Sequence, residues 1–396
     1  MTSAETGSVI AALTASGSLV RFVGGCVRDT LLGRAVRDID IATPDPPEHV
    51  LELLRVAGIK AIPTGIEHGT VTAVIPPAHY EITTLRLDAE TDGRYACVEF
   101  SDDWESDAAR RDFTINAIYC DQHGDLFDPT GGIDDLQNRT VRFIGTPDTR
   151  IKEDYLRILR FFRFTAFFGC LPPYPAALKA CRSNASALTR LSGERIKTEM
   201  LRFFESDNSG TVLELMRENG ILDHVLPELT RVGRLQGLIA VDGQNPDPLR
   251  RLAAANSADA GGTYVLAERL RVSNAERKRL TSIAAHEGII TADIDARVRR
   301  LLLYQLGPQT FVDLVYLEWS QNPTKARSWH HQLQSVASWY RPTLPIDGTD
   351  VTALGVLRGP EVGKILGQLE AWWIKGDFKA DRQKCLQKLQ RMANIG

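Results

Sequence analysis

Hydrophobic and polar positions change rhythm along the chain. In the first third they come in short runs. Residues 19–23 form a run apolar but for Arg21 and lead into Gly24 and Gly25, and Ile39 and Ile41 alternate with Asp38 and Asp40. Residues 69–75 (GTVTAVI) and 80–85 (YEITTL) are β-branched and alternating, with Pro76-Pro77 between them, which predicts a hairpin. Helical spacing is limited here to 1–18, 27–32 and 50–57. Residues 113–120 (FTINAIYC) read as one more strand. Further on, the helical period takes over. Residues 152–168 and 192–204 read as helices, the second with Ser192-Gly193 ahead of an acidic first turn. Beyond Gly210 come TVLELMREN, TYVLAERLR, NAERKRLTSIAAHE, RVRRLLLYQLG and QTFVDLVYLEW. The expected class is α+β: a head with a small mixed or antiparallel sheet plus helices, then an all-α remainder. The polar, Gly/Ala-rich stretch 241–262 reads as a flexible connection. Pro360 after Gly359 reads as a helix start, and Trp372-Trp373 as core.

Composition narrows this picture. A chain of 396 residues exceeds one ordinary core, so two or more domains are expected. With 43% hydrophobic and 24% charged residues it reads as a globular protein, and no apolar run reaches membrane-span length. The net charge of −3 does not mark a nucleic-acid binder. Residues 141–210, however, hold 12 Lys/Arg against 7 Asp/Glu, so positive charge is segregated there. The six cysteines form no C-x-x-C pair, which speaks against a zinc site or disulfide framework. Reduced thiols, and a start without a basic signal-peptide region, predict a cytoplasmic protein. His330 and His331 are adjacent, a poor arrangement for chelating one metal.

The chemistry gathers first in residues 23–43, VGGCVRDTLLGRAVRDIDIAT. On a strand, residues i and i+2 face one side, so Asp38 and Asp40 project together. Two carboxylates so close repel unless a cation sits between them, and a hard divalent ion with water and phosphate oxygens is the natural occupant. The Gly24-Gly25 turn into a helix offers N–H groups to phosphate, and Arg28 adds a cation on that side. Glu81 reads as a solvated strand residue, with an approach to the acidic pair as the alternative. Residues 88–109 are polar and acidic, with Gly93 a candidate hinge: a surface loop or a mobile lid. Arg110-Arg111-Asp112 follows, guanidinium groups for phosphate beside a carboxylate for ribose hydroxyls. Farther on, Asp154 and Arg157 lie three apart in what reads as one helix, 152–168, hence on one face. Such a pair accepts cytosine or adenine, whose exocyclic amino group and ring nitrogen match carboxylate and guanidinium. Uracil and guanine would face acceptor with acceptor and donor with donor. Glu153 and Arg157, four apart, are spaced for an ion pair.

The order strand, Gly-Gly, helix and strand with D-x-D resembles the signature of the polymerase β nucleotidyltransferase superfamily. In the form GGCVRDTLLGRAVRDIDIAT it resembles the class II tRNA nucleotidyltransferases (CCA-adding enzymes) and bacterial poly(A) polymerases. RRDFTINAI, DPTGGIDDLQNRTVRFIG (128–145), EDYLRILRFFRF (153–164) and SGERIKTEMLRFF (192–204) are similar to that family's later motifs, in order. The resemblance implies a nucleotidyltransferase head over 1–140, a helical neck over 141–210, a body over 211–320 and a tRNA-binding tail over 321–396. It implies Asp38 and Asp40 as catalytic ligands of Mg²⁺. Gly25, Arg28, Arg111, Asp154, Arg157, Arg160 and Arg163 are then nucleotide-binding, with Arg163 drifting off the Asp154 face of an ideal helix. Asp112 becomes a reader of ribose, 128–145 a hinge, and 192–204 a brace for the base-reading helix. The implied substrates are tRNA, CTP and ATP, with no membrane partner. Poly(A) synthesis, partial CC or A addition, and RNA binding on a decayed fold are the alternatives.

Overall fold

The computed structural model describes residues 1–88, 98–243, 246–356 and 358–393. The chain divides into two compact units, Met1–Pro227 and Glu228–Gly396.

In the first unit the strands are β1 Arg21–Val23, β2 Ile39–Thr43, β3 Lys60–Gly65, β4 Thr70–Ile75, β5 Ala78–Thr84, β6 Arg86–Asp88, β7 Val98–Phe100, β8 Tyr119–Cys120 and β9 Leu126–Phe127. Among the described residues, seven form one sheet in the order β3-β4-β5-β2-β1-β8-β9, and β6 pairs with β7 apart from it. The β2–β5 pair is parallel and the others are antiparallel, so the sheet is mixed as expected. The β4–β5 hairpin turns at Pro76-Pro77. Helices α1 Ala4–Thr14, α2 Gly25–Leu31 and α3 Pro47–Val56 belong to this sheet. Val9, Leu13, Val50 and Leu54 on α1 and α3 are buried, as are Ile41, Val71 and Ile82 on the strands. Tyr80 and Thr6 share a buried hydroxyl contact of 3.2 Å that ties β5 to α1.

Helices α4 Trp104–Ala109, α5 Gly132–Gln137, α6 Pro147–Glu153, α7 Leu156–Phe168, α8 Pro175–Ser183, α9 Gly193–Phe204, α10 Ser209–Glu218 and α11 Leu222–Val225 complete the unit. An aromatic core joins them to the sheet region. Phe113 lies 4.7 Å from Phe143 and 5.2 Å from Phe164, and Phe143 stacks on Phe161 at 5.8 Å between ring centroids. Each such buried ring contributes about 1.5–3 kcal/mol. Gly132 is required at its place, since a Cβ there would stand 2.2 Å from the Thr114 carbonyl oxygen.

Three sequence expectations are corrected in this unit. Residues 113–120 do not form one strand. Phe113 makes a single bridge to Phe143, residues Thr114–Asn116 form a 3₁₀ turn, and only Tyr119–Cys120 joins the sheet. Side chains take the backbone's place there: Asp112 accepts from the Phe113 N–H at 2.9 Å and from Asn116 Nδ2 at 3.0 Å. Residues 152–168 are not one helix either. Asp154 is extended (φ −154°, ψ 107°), which ends α6, and its carboxylate accepts from the Leu156 N–H at 3.1 Å as α7 begins. Within 88–109, residues 89–97 with Gly93 lie outside the described residues. The rest is ordered as β7 and α4, whose start is capped by Asp103.

Among the described residues, the second unit is built from helices: α12 Val232–Asp242, α13 Pro248–Ala255, α14 Ala260–Arg269, α15 Asn274–Ala285, α16 Ala296–Gln321, α17 Ala326–Ala337, α18 Gly348–Thr352, α19 Pro360–Lys375 and α20 Arg382–Ala393. The stretch 241–262, expected to be a flexible connection, holds α13 instead. Arg251 is wholly buried there and donates twice to Asp242, both at 2.8 Å. Two apolar segments, 297–307 and 309–319, join as α16 with a kink where Gly307 takes φ 79° ahead of Pro308. Trp373 belongs to the core around Leu369, Cys385 and Leu389, with Trp372 packed against it. Pro360 opens α19 after Gly359.

Candidate active site

Helix α2 starts one residue after β1, and the turn between them explains the paired glycines. Gly24 takes φ 73°, a region that favours glycine. A Cβ on Gly24 would stand 3.6 Å from the Asn116 carbonyl oxygen and 3.8 Å from Arg111 Nη1, and one on Gly25 3.8 Å from Arg28 Nη2. These are ordinary contact distances, so the positive φ of Gly24 is what demands glycine, and the turn lines a cleft of about 890 Å³. Asp38 and Asp40 form one wall of that cleft. Gly24, Gly25, Arg28 and Arg111 form another. Asp112, Arg160, Arg163 and Phe164 come from the segment before the 3₁₀ turn and from α7.

Asp38 is exposed just ahead of β2, and Asp40 lies half-buried within it. Glu81 on β5 is the register partner of Asp40 across the parallel ladder. Burial first, then the charges of Glu81 and Asp38, push the Asp40 carboxyl up to about 6, although Arg111 and Arg28 pull it down. A carboxylate crowded by carboxylates is an unbalanced site, and its all-oxygen donors suit a hard divalent cation. No cluster of three His, Cys, Asp or Glu close enough to hold a metal occurs among the described residues. A cation here would take protein oxygens from Asp38 and Asp40 and complete its shell from water and phosphate. Glu81, read from the sequence chiefly as a solvated strand residue, is exposed yet sits on the same acidic rim.

The cationic walls are firmly held. Arg28 Nη1 donates to Asn116 Oδ1 at 2.6 Å, and its guanidinium lies 4.0 Å from the centre of the Phe168 ring. Arg111 donates to the buried Asp107 at 3.1 Å and to the Tyr119 hydroxyl at 3.2 Å, while that hydroxyl donates to Asp107 at 2.7 Å. Asp112 pairs with Arg160 at 2.6 Å. Burial works to raise the Asp112 carboxyl, but Arg160 and Asn116 hold it below the usual carboxylate range. Arg163 pairs with Glu199 at 2.6 Å and Arg160 reaches the same carboxylate at 3.4 Å. Glu199 is on α9, so the segment 192–204 does pack on the arginine-bearing face of α7.

Asp154 and Arg157 are placed otherwise than a single helix implies. Neither is among the described residues lining the cleft. Asp154 pairs with Arg195 at 2.7 Å, and Arg157 pairs with Glu153, the ion pair the spacing suggested. Arg163, which drifts off the Asp154 face of an ideal helix, does line the cleft. Sequence reasoning named segments but missed Asn116, Asp107, Tyr119 and Glu199 as the partners that orient these arginines. Each lies inside or beside a quoted motif, and a search for acceptors next to clustered arginines would have found them.

Residues 20–142 match the Poly A polymerase head domain, and 174–232 match the domain described as "Probable RNA and SrmB- binding site of polymerase A". A Danio rerio protein named "CCA tRNA nucleotidyltransferase 1, mitochondrial" is 34% identical over 382 residues, which cover 94% of this chain and 87% of that protein. The chain belongs to the CCA tRNA nucleotidyltransferase family. The crystal structure of the Bacillus stearothermophilus CCA-adding enzyme in complex with CTP matches it with a TM-score of 0.79 at 26% identity, over 99% of this chain and 97% of that one. The Thermotoga maritima CCA-adding enzyme complexed with tRNA shares the fold, with a TM-score of 0.60 at 19% identity over 98% and 94% of the two chains. Nucleotidyltransferases generally use divalent metal ions. No helix among the described residues is long and apolar enough to cross a membrane.

Proposed function

We propose that this chain is a template-independent tRNA nucleotidyltransferase that adds CCA to the tRNA 3′ end from CTP and ATP and releases pyrophosphate. The observation that carries the reading is the cleft in which Asp38 and Asp40 face the Gly24-Gly25 turn, Arg28 and Arg111. The relatives named for CCA addition, and solved in complex with CTP and with tRNA, support it. Head, neck, body and tail are assigned to 1–140, 141–210, 211–320 and 321–396.

Asp38 and Asp40 would hold Mg²⁺, which when bound would supply positive charge beside the RNA 3′-hydroxyl and the pyrophosphate. The Gly24 N–H is given to the Ile118 carbonyl at 3.2 Å, so the backbone N–H of Gly25, with Arg28 and Arg111, takes the triphosphate. Asp112 takes the ribose hydroxyls in exchange for part of its contact with Arg160 or Asn116, and Arg160 and Arg163 present guanidinium N–H donors on the floor of the cleft. Asp154 and Arg157 read the base: Asp154 trades Arg195 for the amino group, and Arg157, still held on Glu153 through Nη1, offers its other N–H groups to the ring nitrogen. A wrong base leaves polar groups unpaired at about 1–3 kcal/mol each. The compartment assigned is the cytoplasm, although the Danio rerio relative is named as mitochondrial.

The test is to supply tRNA lacking its 3′ end with each nucleotide alone and with all four. C, C and A added in turn, with growth then halted, is the expected result. An unlimited A tail would make the chain a poly(A) polymerase, CC or A alone a partial enzyme, and no extension a binding protein on the same fold.

A further inference from the structure

One buried side chain joins the arginine assigned to the triphosphate with the arginine assigned to the base. Arg150, in the last turn of α6, is only 9% exposed and reaches both ways. Its Nη2 donates to the carbonyl oxygen of Arg110 and, at 2.7 Å, to that of Arg111. Its Nη1 donates to Glu153 Oε2 at 2.6 Å. That same oxygen accepts from Arg157 Nη1, which donates as well to the Arg150 carbonyl at 2.7 Å. Arg157 is therefore held by one nitrogen at two points, which fixes the direction of its other N–H groups. On the opposite side the Arg111 side chain is fixed by Asp107 and Tyr119 while its carbonyl is pinned by Arg150.

We infer that Arg150 is a positioning residue that sets the spacing between base reading and triphosphate binding, so that the choice of base is felt at Arg111. This rests on the function proposed above. A planar guanidinium forks rigidly, so it transmits position where a lysine would offer one mobile point charge. Cytosine or adenine leaves Arg157 on Glu153 and Arg150 while its triphosphate meets Arg111. Uracil or guanine displaces Arg157, and with it Glu153, Arg150 and the backbone of Arg111. A misplacement of about 1 Å in a reacting group costs about 10²-fold in rate, enough to turn a poor base into a poor reaction.

The experiment measures kcat and KM for CTP, ATP, UTP and GTP on tRNA lacking its 3′ end, with the melting temperature of each protein. The proteins are wild type, R150Q, R150K, R157A and the R150Q/R157A double variant. Arg150→Gln should raise KM for CTP and lower the CTP-to-UTP ratio of kcat/KM about 10-fold or more. Arg150→Lys should keep the fold without restoring that ratio, and it serves as the reading if R150Q fails to fold. The double variant should select no worse than R157A alone. A uniform loss on all four nucleotides with the wild-type ratio intact would mean a purely structural arginine, and additive losses in the double variant would likewise overturn the inference. If wild type itself fails to prefer C and A, the proposed function falls, and this inference with it.

Discussion

Two groups of charge meet at the same cleft, each backed by a carboxylate outside its lining, and are built in opposite ways. On the strand side, Asp38, Asp40 and Glu81 crowd one another, and the Asp40 carboxyl rises to about 6. On the helix side, Asp112, Arg160, Glu199 and Arg163 alternate in sign, are largely buried, and are joined by ion pairs of 2.6–3.4 Å. The first group is unbalanced by itself, a charge pattern that a cation arriving with substrate would relieve. The second is balanced within the protein, so it is a preformed surface that needs no ion. Burying one charge is expensive and burying a matched pair is tolerable, which is why the two can lie side by side.

The sharpest way to break this contrast is to remove charge from each side in turn. Asp38→Asn or Asp40→Asn should cut nucleotide addition by about 10²–10³-fold or more while leaving the fold intact. Primer extension and circular dichroism check both halves of that statement. Glu199→Gln should act in the reverse manner. It leaves Arg160 and Arg163 under-paired in a buried place and should cost about 2–4 kcal/mol of stability, read by urea unfolding. Asp154→Ala should leave stability nearly unchanged and relax the preference for C and A over U and G by about 10- to 100-fold, since one mismatched polar contact is worth about 1–3 kcal/mol.

A pH series sharpens the comparison further. The folded-state Asp40 carboxyl lies above its ordinary value, so the folded protein binds a proton there more readily than the unfolded chain does. Without divalent metal, stability should rise as pH falls from about 6 toward 4 and be lost as pH rises through 6, by about 1–3 kcal/mol at this residue. Asp40→Asn should flatten that slope, and added Mg²⁺ should stabilise wild type more at pH 7.5 than at pH 5.5. The smallest effect belongs to the exposed Arg55–Glu52 pair on α3, where Arg55→Ala should leave the melting temperature unmoved.

Much of this was legible in the sequence because the patterns there are local. The alternation around Asp38 and Asp40, the β4–β5 hairpin and the glycine turn all follow from a few neighbouring residues. Where the reading failed, contacts distant in sequence decided. Residues 113–120 look like a strand until Phe113 bridges to Phe143 and the Thr114 N–H goes to the Arg142 carbonyl. Residues 152–168 look like one helix until Asp154 is drawn out to cap α7 and pair with Arg195. Stretch 241–262 has the composition of a linker, but the buried Arg251–Asp242 pair makes part of it core. At the site, the arginines stood out as a series. Their acceptors did not: Asp107 lies at helical spacing before Arg111, but Asn116 and Glu199 meet arginines 88 and 36 residues away.

The most direct test of the account is the binding of Mn²⁺ in the presence of CTP, followed by electron paramagnetic resonance at neutral pH. Wild type should hold the ion in a nucleotide-dependent way, and Asp38→Asn and Asp40→Asn should each lose most of that binding while Glu199→Gln, at a temperature where it is folded, retains it. Equal binding by wild type and both aspartate variants would contradict the claim that the strand-side carboxylates exist to receive a cation.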